Sequence, residues 1–236
     1  MKILILIFSI SFLYTFNLFS QKVEIPEGYL LQYSQGFQSV NLPVEFVSYF
    51  KKTQEKIITE KSNKFLRFYI SDTVDLKPTL YLLDNFIFGD FVFEFNTRIK
   101  NISKDKCPEI GVILSFKDTL NYYSLNFIIK NNDSLIIKLI ANDRGKSILK
   151  YNGVVFIKLK EWNDIVVTRE LINRTIKVYV NHRNIPVFTI NDWSLVMGHV
   201  GFNFKNGIFD IDNIKIWSQT FIENKLSIEK SNKLIK

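Results

Sequence analysis

Alanine is nearly absent from this sequence: the only one is Ala141, against 22 Phe, 10 Tyr and 3 Trp. Alanine is the best helix former, whereas aromatic and β-branched side chains suit the pleated surface of a sheet. A mainly helical protein is therefore excluded. With 236 residues, of which 47% are hydrophobic and 23% charged, the chain is also neither disordered nor collagen-like.

Cysteine is equally scarce, because Cys107 is the only one. No intramolecular disulfide can form, so the hydrophobic core alone must hold the fold together. No activating group lies near Cys107 in the sequence, which favours an incidental loop residue over a nucleophile. His182 and His199 lack an evident catalytic partner and are interpreted as structural. The sequence also lacks a serine nucleophile elbow, a phosphate-binding glycine loop and a paired Cys/His motif.

The N-terminus carries the one long uncharged run, from Ile3 to Ser20, after the single positive charge of Lys2. This pattern predicts a secretory signal peptide (residues 1–20) cleaved after Ser20, with an uncleaved membrane anchor as the alternative. No cysteine lies near the end of the run, so a lipoprotein anchor has no attachment point. We therefore expect a secreted, periplasmic or cell-surface protein that keeps no membrane span after cleavage.

The net charge of +8 raises the question of a nucleic-acid partner. The basic residues are scattered along the chain and lack the arginine and glycine interleaving of nucleic-acid readers. The charge is therefore interpreted as a solvated surface, with attraction to acidic glycans or an anionic surface as the alternative. Residues 219–236 are predicted to form a polar, basic tail.

Between residues 21 and 218, short segments alternate apolar and polar residues and are separated by turn residues every 8–12 positions. This spacing predicts a single all-β domain, a two-sheet antiparallel β-sandwich. Residues Thr53–Lys61 fit either a strand or one helical stretch. An outer-membrane barrel is disfavoured because Leu135–Ile140 is apolar on both faces. The other predicted strands include Tyr29–Tyr33, Lys64–Ile70, Thr79–Leu83, Asp90–Lys100, Trp162–Leu171 and Ile208–Trp217.

Five segments of the chain carry a family pattern: GDFVFEFNTRI (Gly89–Ile99), EIGVILSFKDTLNYYSLNF (Glu109–Phe127), EWNDIVVTRELINRTIKVYVN (Glu161–Asn181), GHVGFNF (Gly198–Phe204) and GIFDIDNIKIW (Gly207–Trp217). In this order they resemble the concanavalin A-like lectin/glucanase superfamily of jelly rolls. They are most similar to the laminin-G-like and 3-keto-disaccharide-hydrolase-like (DUF1080-type) domains of exported bacterial proteins. The resemblance implies a jelly-roll sandwich, but the fold hosts lectins, hydrolases and adhesion modules alike.

One departure from the superfamily concerns catalysis. Its β-glucan hydrolases carry a Glu-x-Asp-x-Glu strand, which puts nucleophile and acid/base on one face. This sequence has no such run. Asp210 and Asp212 come nearest, and the resemblance implies a structural turn there, so we expect both carboxylates to bond to backbone.

Ligands of such jelly rolls commonly lie on the concave sheet, where polar side chains stand opposite core-facing ones. Glu94, Asn96 and Arg98 from one strand, and Tyr122, Ser124 and Asn126 from another, are the candidate sugar-binding residues on this face. They could bond sugar hydroxyls, with Tyr122 as a stacking platform. An ordinary solvated face is the alternative. Arg169 and Lys138 are further candidates whose strand faces the pattern does not assign.

The tryptophans and Asp118 complete the candidates. Trp162 is interpreted as a packing residue and Trp217 as core. Trp193 stands in a polar context and is the candidate exposed sugar platform, although a covering role at a sandwich edge would look the same. The sequence gives no positive case for Ca²⁺ or another cofactor, and Asp118 is the one weak candidate for a rim ion.

Three functions follow as hypotheses. The first is a secreted, non-catalytic carbohydrate-binding domain with a glycan as its partner. The second is a sugar-active hydrolase of the DUF1080 type, with Glu94 as general acid or base. The third is a cell-surface adhesion or assembly module with a protein partner.

Overall fold

The structure is a computed structural model that describes residues 22–38, 46–49, 54–70, 79–101, 107–131, 134–157, 160–181, 184–192, 194–219 and 221–223. Trp193, His182, the predicted signal peptide and residues 224–236 of the predicted tail lie outside these ranges. Within them every regular element is a strand, and there is no helix that could cross a membrane. The strands are β1 (Leu30–Gln35), β2 (Phe46–Tyr49), β3 (Gln54–Glu60), β4 (Asn63–Ile70), β5 (Thr79–Phe88), β6 (Phe91–Asn101), β7 (Glu109–Asp118), β8 (Asn121–Asn131), β9 (Ser134–Asp143), β10 (Lys146–Phe156), β11 (Asn163–Glu170), β12 (Thr175–Val180), β13 (Phe188–Asn191), β14 (Gly198–Lys205), β15 (Gly207–Ser218) and β16 (Phe221–Glu223).

The strands form two eight-stranded antiparallel sheets. Sheet A has the order β13-β12-β11-β6-β15-β4-β3, with β1 pairing the second half of β15. Sheet B has the order β10-β9-β8-β7-β14-β5-β16, with β2 also pairing β5. The predicted two-sheet antiparallel β-sandwich is confirmed. The segment 54–60, which the sequence left open between helix and strand, is strand β3.

The core between the sheets is built largely from aromatic rings. In β6, Phe91, Phe93 and Phe95 alternate with outward residues and are fully buried. Phe93 and Phe95 meet Phe202 of β14, whose ring centroid lies 5.3 and 5.0 Å from theirs. The lone alanine, Ala141, also lies in this core. Burial of these rings supplies the apolar area that stabilises the sandwich in place of disulfides.

Strands β7 to β10 of sheet B pair as consecutive hairpins, and the turn between β9 and β10 shows how the sequence sets the register. Arg144 and Gly145 between β9 and β10 both have positive φ, of 49° and 77°. Two positive φ values in a row match the twist of a two-residue hairpin, and the glycine adopts its value without steric cost. The turn between β9 and β10 is thus a two-residue hairpin turn.

Two single residues differ from their interpretation. Trp217 is not core: in β15 the residues facing the interior are Ile214 and Ile216, and Trp217 points to the opposite face, where it is half-buried near Lys215. A β-bulge after Asp212 shifts the register of this strand, so period-2 counting along β15 does not carry through. Beyond β15, β16 adds a short strand to sheet B within the segment interpreted as tail.

Candidate functional site

The predicted sugar-binding residues do not share one face. Glu94, Asn96 and Arg98 lie on β6 in sheet A, whereas Tyr122 and Asn126 lie on β8 in sheet B. Both strands turn their other face to the common core, so the two groups point away from each other on opposite sides of the sandwich. The prediction of a single shared face is wrong. Trp193 lies outside the described residues, and its role stays a prediction.

On the outer face of sheet A, Glu94 and Asn96 are held by neighbouring strands. Lys22 and Lys215 approach the Glu94 carboxylate, with N–O distances of 3.1 and 3.8 Å. The Asn96 amide donates to Asp164 at 3.2 Å, and its oxygen accepts from the Asn213 amide at 2.9 Å. Glu94 is thus an ion-paired carboxylate, and its catalytic role stays a prediction.

Arg98 belongs to a buried ionic row that crosses three strands. Asp210 of β15 is fully buried, and its carboxylate accepts from Arg67 Nε and Nη2 at 2.6 and 2.9 Å and from Arg98 Nε at 2.7 Å. The Arg98 guanidinium also lies 4.8 Å from the Phe65 ring centroid and 4.5 Å from that of Trp162. These contacts make Arg98 a structural residue of this face and Trp162 its partly buried cover, as predicted for Trp162.

The two acids of β15 are bonded differently. The carboxylate of Asp210 bonds to guanidinium groups and not to backbone, so that prediction is wrong in its detail. Asp212 accepts from the Asn213 backbone N–H at 2.8 Å, as expected, and from the Asn63 amide at 2.9 Å. Burial raises the pKa of Asp212, while these two hydrogen bonds oppose the shift.

On the outer face of sheet B, three small polar side chains form a cluster, which we call the amide cluster: Ser124, Asn126 and Asn203. Asn203 Nδ2 and Ser124 Oγ both donate to Asn126 Oδ1, the first at 3.0 Å. All three residues are buried. Asn203 Oδ1 has no hydrogen-bond partner within the described part of the chain. A buried amide oxygen without a partner costs free energy, so hydrogen bonds do not fully compensate the packing of these amides.

Gly111 makes the cluster sterically feasible. It stands between Asn126 and Asn203 in the strand register. A Cβ at this position would clash with Asn203 Oδ1 and lie 2.8 Å from Asn126 Oδ1. The two amides therefore occupy the space that a side chain at 111 would need. Lys138 lies directly across from Asn126 on β9, so this candidate belongs to the same row.

An aromatic row adjoins the amide cluster. The ring centroid of Phe116 lies 5.8 Å from that of Tyr122 and 6.0 Å from that of Tyr49. Tyr122 and Tyr49 are half-buried and pack against a small outer apolar cluster, whose members are Leu80, Leu82, Ile113 and Phe116. Burial raises the pKa of Tyr122, which stays a neutral phenol able to donate and accept. Sheet B therefore presents an amphipathic ring beside amides.

Ionisable groups stand at both ends of this face. At one end, burial raises the pKa of Glu109, and Lys205 and Lys138 oppose the shift. At the other end, burial lowers the pKa of His199, and the nearby Asp84 carboxylate opposes it. Arg169, whose face the sequence did not assign, points into the sandwich, where its guanidinium lies 5.2 Å from the Tyr123 ring centroid.

The structure gives Asp118 a local role. Its Oδ1 accepts from the Leu120 N–H at 2.8 Å and from the Asn121 amide at 2.9 Å, which closes the turn between β7 and β8. In the ranges that the structure describes, no three His, Cys, Asp or Glu side chains form a metal-binding group. Metal binding through Asp118 stays a prediction.

Sequence reasoning missed Asn203, Gly111 and Tyr49. Asn203 stands between the core residues Phe202 and Phe204, so the alternation marks it as outward-facing. Its neighbours across the sheet are Gly111 and Asn126, which are far away in sequence. No local sequence pattern predicts that these residues lie close together. Gly111 is recognisable only once the two amides are seen above it.

Two antiparallel sheets packed face to face in this order form a jelly-roll β-sandwich, with a polar and aromatic outer face on sheet B. No protein-family model matches the sequence, and no curated protein matches it significantly. Solved structures do match. The carbohydrate-binding module CBM66 from Bacillus subtilis is 16% identical, with 74% of this chain and 96% of that chain covered and a TM-score of 0.55. A Bacillus licheniformis β-glucanase is 10% identical, with 80% and 98% covered and a TM-score of 0.55.

A third match is a Bacillus subtilis protein described as having a galectin-like fold, at 8% identity. It covers 83% of this chain and 100% of that one, with a TM-score of 0.54. At such identities the likeness shows the fold alone. The predicted jelly-roll sandwich fold is therefore confirmed, whereas membership of the concanavalin A-like superfamily and the laminin-G-like and DUF1080-type assignments stay predictions.

Proposed function

We propose that the chain is a carbohydrate-binding β-sandwich that acts without catalysis and holds its glycan on the outer face of sheet B. The observation that carries this proposal is the amide cluster of Ser124, Asn126 and Asn203, lying beside the half-buried ring of Tyr122. Ligand sites typically combine aromatic side chains with a few convergent polar groups, and this combination suits a sugar.

The amide cluster supplies the polar recognition. A sugar hydroxyl can donate and accept a hydrogen bond, and amide and hydroxyl side chains can bond it in either way. Asn126 and Ser124 each keep a small exposed edge that can bond a sugar hydroxyl, and Lys138 across from Asn126 donates to a hydroxyl oxygen. Each such hydrogen bond contributes about 0.5–1.5 kcal/mol.

Tyr122 supplies the apolar part of the contact. The Tyr122 ring packs against the buried Phe116, and this contact fixes the position of the Tyr122 ring in the absence of ligand. A ring held in place loses little conformational entropy on binding, and the C–H face of a pyranose stacks on it. The sugar would thus lie with one face on Tyr122 and its hydroxyl edge toward the amides.

The fold likeness to a carbohydrate-binding module and to a β-glucanase supports a sugar ligand, although it does not identify one. We also propose that the chain is exported, as the hydrophobic run before Gln21 predicts. A surface glycan or a polysaccharide outside the cell is then the expected ligand.

A glycan array followed by calorimetric titration of the best glycan tests the proposal. We expect Asn126→Ala to weaken binding roughly tenfold to a hundredfold, because it removes a hydrogen bond and leaves Ser124 and Asn203 without their acceptor. Asn96→Ala is the matched control, the same change on the outer face of sheet A, and should leave affinity unchanged. The reverse pattern would move the site to sheet A, and an array without any bound glycan would reject the proposal.

A further inference from the structure

A cavity of about 330 Å³ lies on the outer face of sheet A, away from the amide cluster. Its floor comes from three neighbouring strands: Val92 of β6, Thr168 of β11 and Lys177 of β12 stand side by side in the strand register. The chain segment 22–29, which precedes β1, forms the wall. The volume is at the small end of the range for ligand pockets, which suits a molecule of monosaccharide size.

The charged groups that line the cavity are balanced and already paired. Lys177 Nζ lies 2.7 Å from Glu170 Oε1, and the Asn173 amide donates to Glu170 Oε2 at 2.8 Å. Burial alone would raise the pKa of Glu170, but these two hydrogen bonds lower it, so the carboxylate stays ionised. On the wall, Lys22 pairs with Glu94, and Glu24 adds a second carboxylate to the lining, so the two lysines and two glutamates that line the cavity are equal in number. A balanced lining gives no preference for a cation or an anion.

Two tyrosines, Tyr29 on the wall and Tyr179 on β12, supply phenol groups. Burial together with the nearby carboxylates of Asp90 and Glu170 raises the pKa of Tyr29 to about 12. Both rings therefore remain neutral, with one apolar body and one hydroxyl each. The Thr168 hydroxyl on the floor adds another group that both donates and accepts.

We propose that this cavity is a second binding site, which takes a neutral polyhydroxylated ligand of monosaccharide size, as a free sugar or as the end of a glycan. The Lys177 ammonium and the Glu170 carboxylate bond adjacent hydroxyls, one as donor and one as acceptor. The ring of Tyr179 lies against the C–H surface of the ligand. The site belongs to sheet A and does not depend on the proposal for sheet B.

Arg169 does not change the charge balance. It contributes to the lining, but its guanidinium is directed into the sandwich, where Nη2 donates to the Leu195 carbonyl. The ligand therefore meets the Lys177–Glu170 pair as its main charged contact. Charge-assisted hydrogen bonds of this kind are the strong ones, and they account for selective binding in a small site.

The test titrates the full chain with xylose, glucose, galactose, mannose and fructose, and with the matching oligosaccharides, by calorimetry and backbone-amide NMR. We expect Lys177→Met to weaken binding at the cavity at least about tenfold, because it removes a charge-assisted hydrogen bond. Lys56→Met makes the same change on the exposed edge strand β3 of the same sheet and should have no effect. A urea unfolding curve confirms that both variants are folded.

NMR shifts at residues 92, 168 and 177 report the cavity, and those at residues 111, 126 and 203 report the amide cluster. Shifts in the first group that persist in Asn126→Ala support the second site even if sheet B binds nothing. Binding of oligosaccharides as well as monosaccharides identifies a glycan end, and binding of monosaccharides alone a free sugar. Saturating sugar without shifts in the first group, or equal affinity in Lys177→Met, overturns the proposal.

Discussion

The ionic row of Arg67, Asp210 and Arg98 should make Asp210→Asn the most destabilising polar substitution on sheet A. Asp210 is fully buried and accepts three charge-assisted hydrogen bonds of 2.6–2.9 Å from two guanidinium groups. The substitution removes the fully buried countercharge that Arg67 and Arg98 share. Both arginines are mostly covered, with side-chain exposures of 18% and 10%, so water cannot replace it.

Breaking a buried ion pair on one side costs about 3–5 kcal/mol, because an uncompensated charge is left behind. Domains are stable by only about 5–15 kcal/mol, so the variant would lose a large part of its free energy of unfolding. For a chain of this size the loss corresponds to a fall in Tm of roughly 10–15 °C. The strands themselves remain intact, and sugar binding on sheet B should persist wherever the variant is folded.

Urea unfolding followed by tryptophan fluorescence and circular dichroism measures this loss. Trp162 stacks on Arg98, so its emission reports the row directly. Glu60→Gln is the control: Glu60 also pairs with Arg98 but is half-exposed, so its loss should be far smaller. Replacing all three members of the row by apolar residues of similar volume should restore most of the stability.

The reasoning fails if Asp210→Asn unfolds at the wild-type urea concentration. It also fails if Glu60→Gln lowers the free energy of unfolding by as much as Asp210→Asn. The burial of the acceptor would then not determine how much stability is lost. A triple apolar variant less stable than Asp210→Asn would show that the row contributes more than charge compensation.

Two further predictions concern sheet B. Gly111→Ala should displace the amides of Asn126 and Asn203 and lower the free energy of unfolding by about 1–3 kcal/mol through overpacking. It should also weaken glycan binding. Unchanged affinity in titration would count against the amide cluster as the site. Burial holds the folded-state pKa of His199 below its ordinary value of about 6.5. As the pH drops below about 6.5, His199 therefore binds a proton in the unfolded chain before it does so in the folded one. The free energy of unfolding should then fall. His199→Gln should flatten this decline between pH 7.5 and 5.5 in chemical denaturation, and an unaltered slope would contradict the assignment.

The fold could be predicted largely from local pattern. Alternation in segments such as Phe91–Asn101 specifies a strand and separates its core face from its outer face, because successive side chains point to opposite sides. The scarcity of alanine and the wealth of rings pointed to the same sandwich. The ambiguous segment 54–60 became a strand because it pairs with β4 along its whole length, a tertiary contact that intrinsic propensity does not include.

The site could be predicted only in part. Period-2 alternation correctly turned Glu94 and Asn126 away from the core, but it does not say to which sheet a strand belongs. After β6 the chain crosses to sheet B for four strands and then returns to sheet A. That crossing, and not any property of the residues, puts the two candidates on opposite sides.

What the sequence determined by itself is a disulfide-free, all-β sandwich with an aromatic core, since alternation and composition act within each strand. The tertiary structure decided which polar residues meet. It brought Asn203 over Gly111 to Asn126, and buried Asp210 between two arginines. These neighbours are 77 to 143 residues apart in the chain, and only the pairing of distant strands brings them within hydrogen-bond distance.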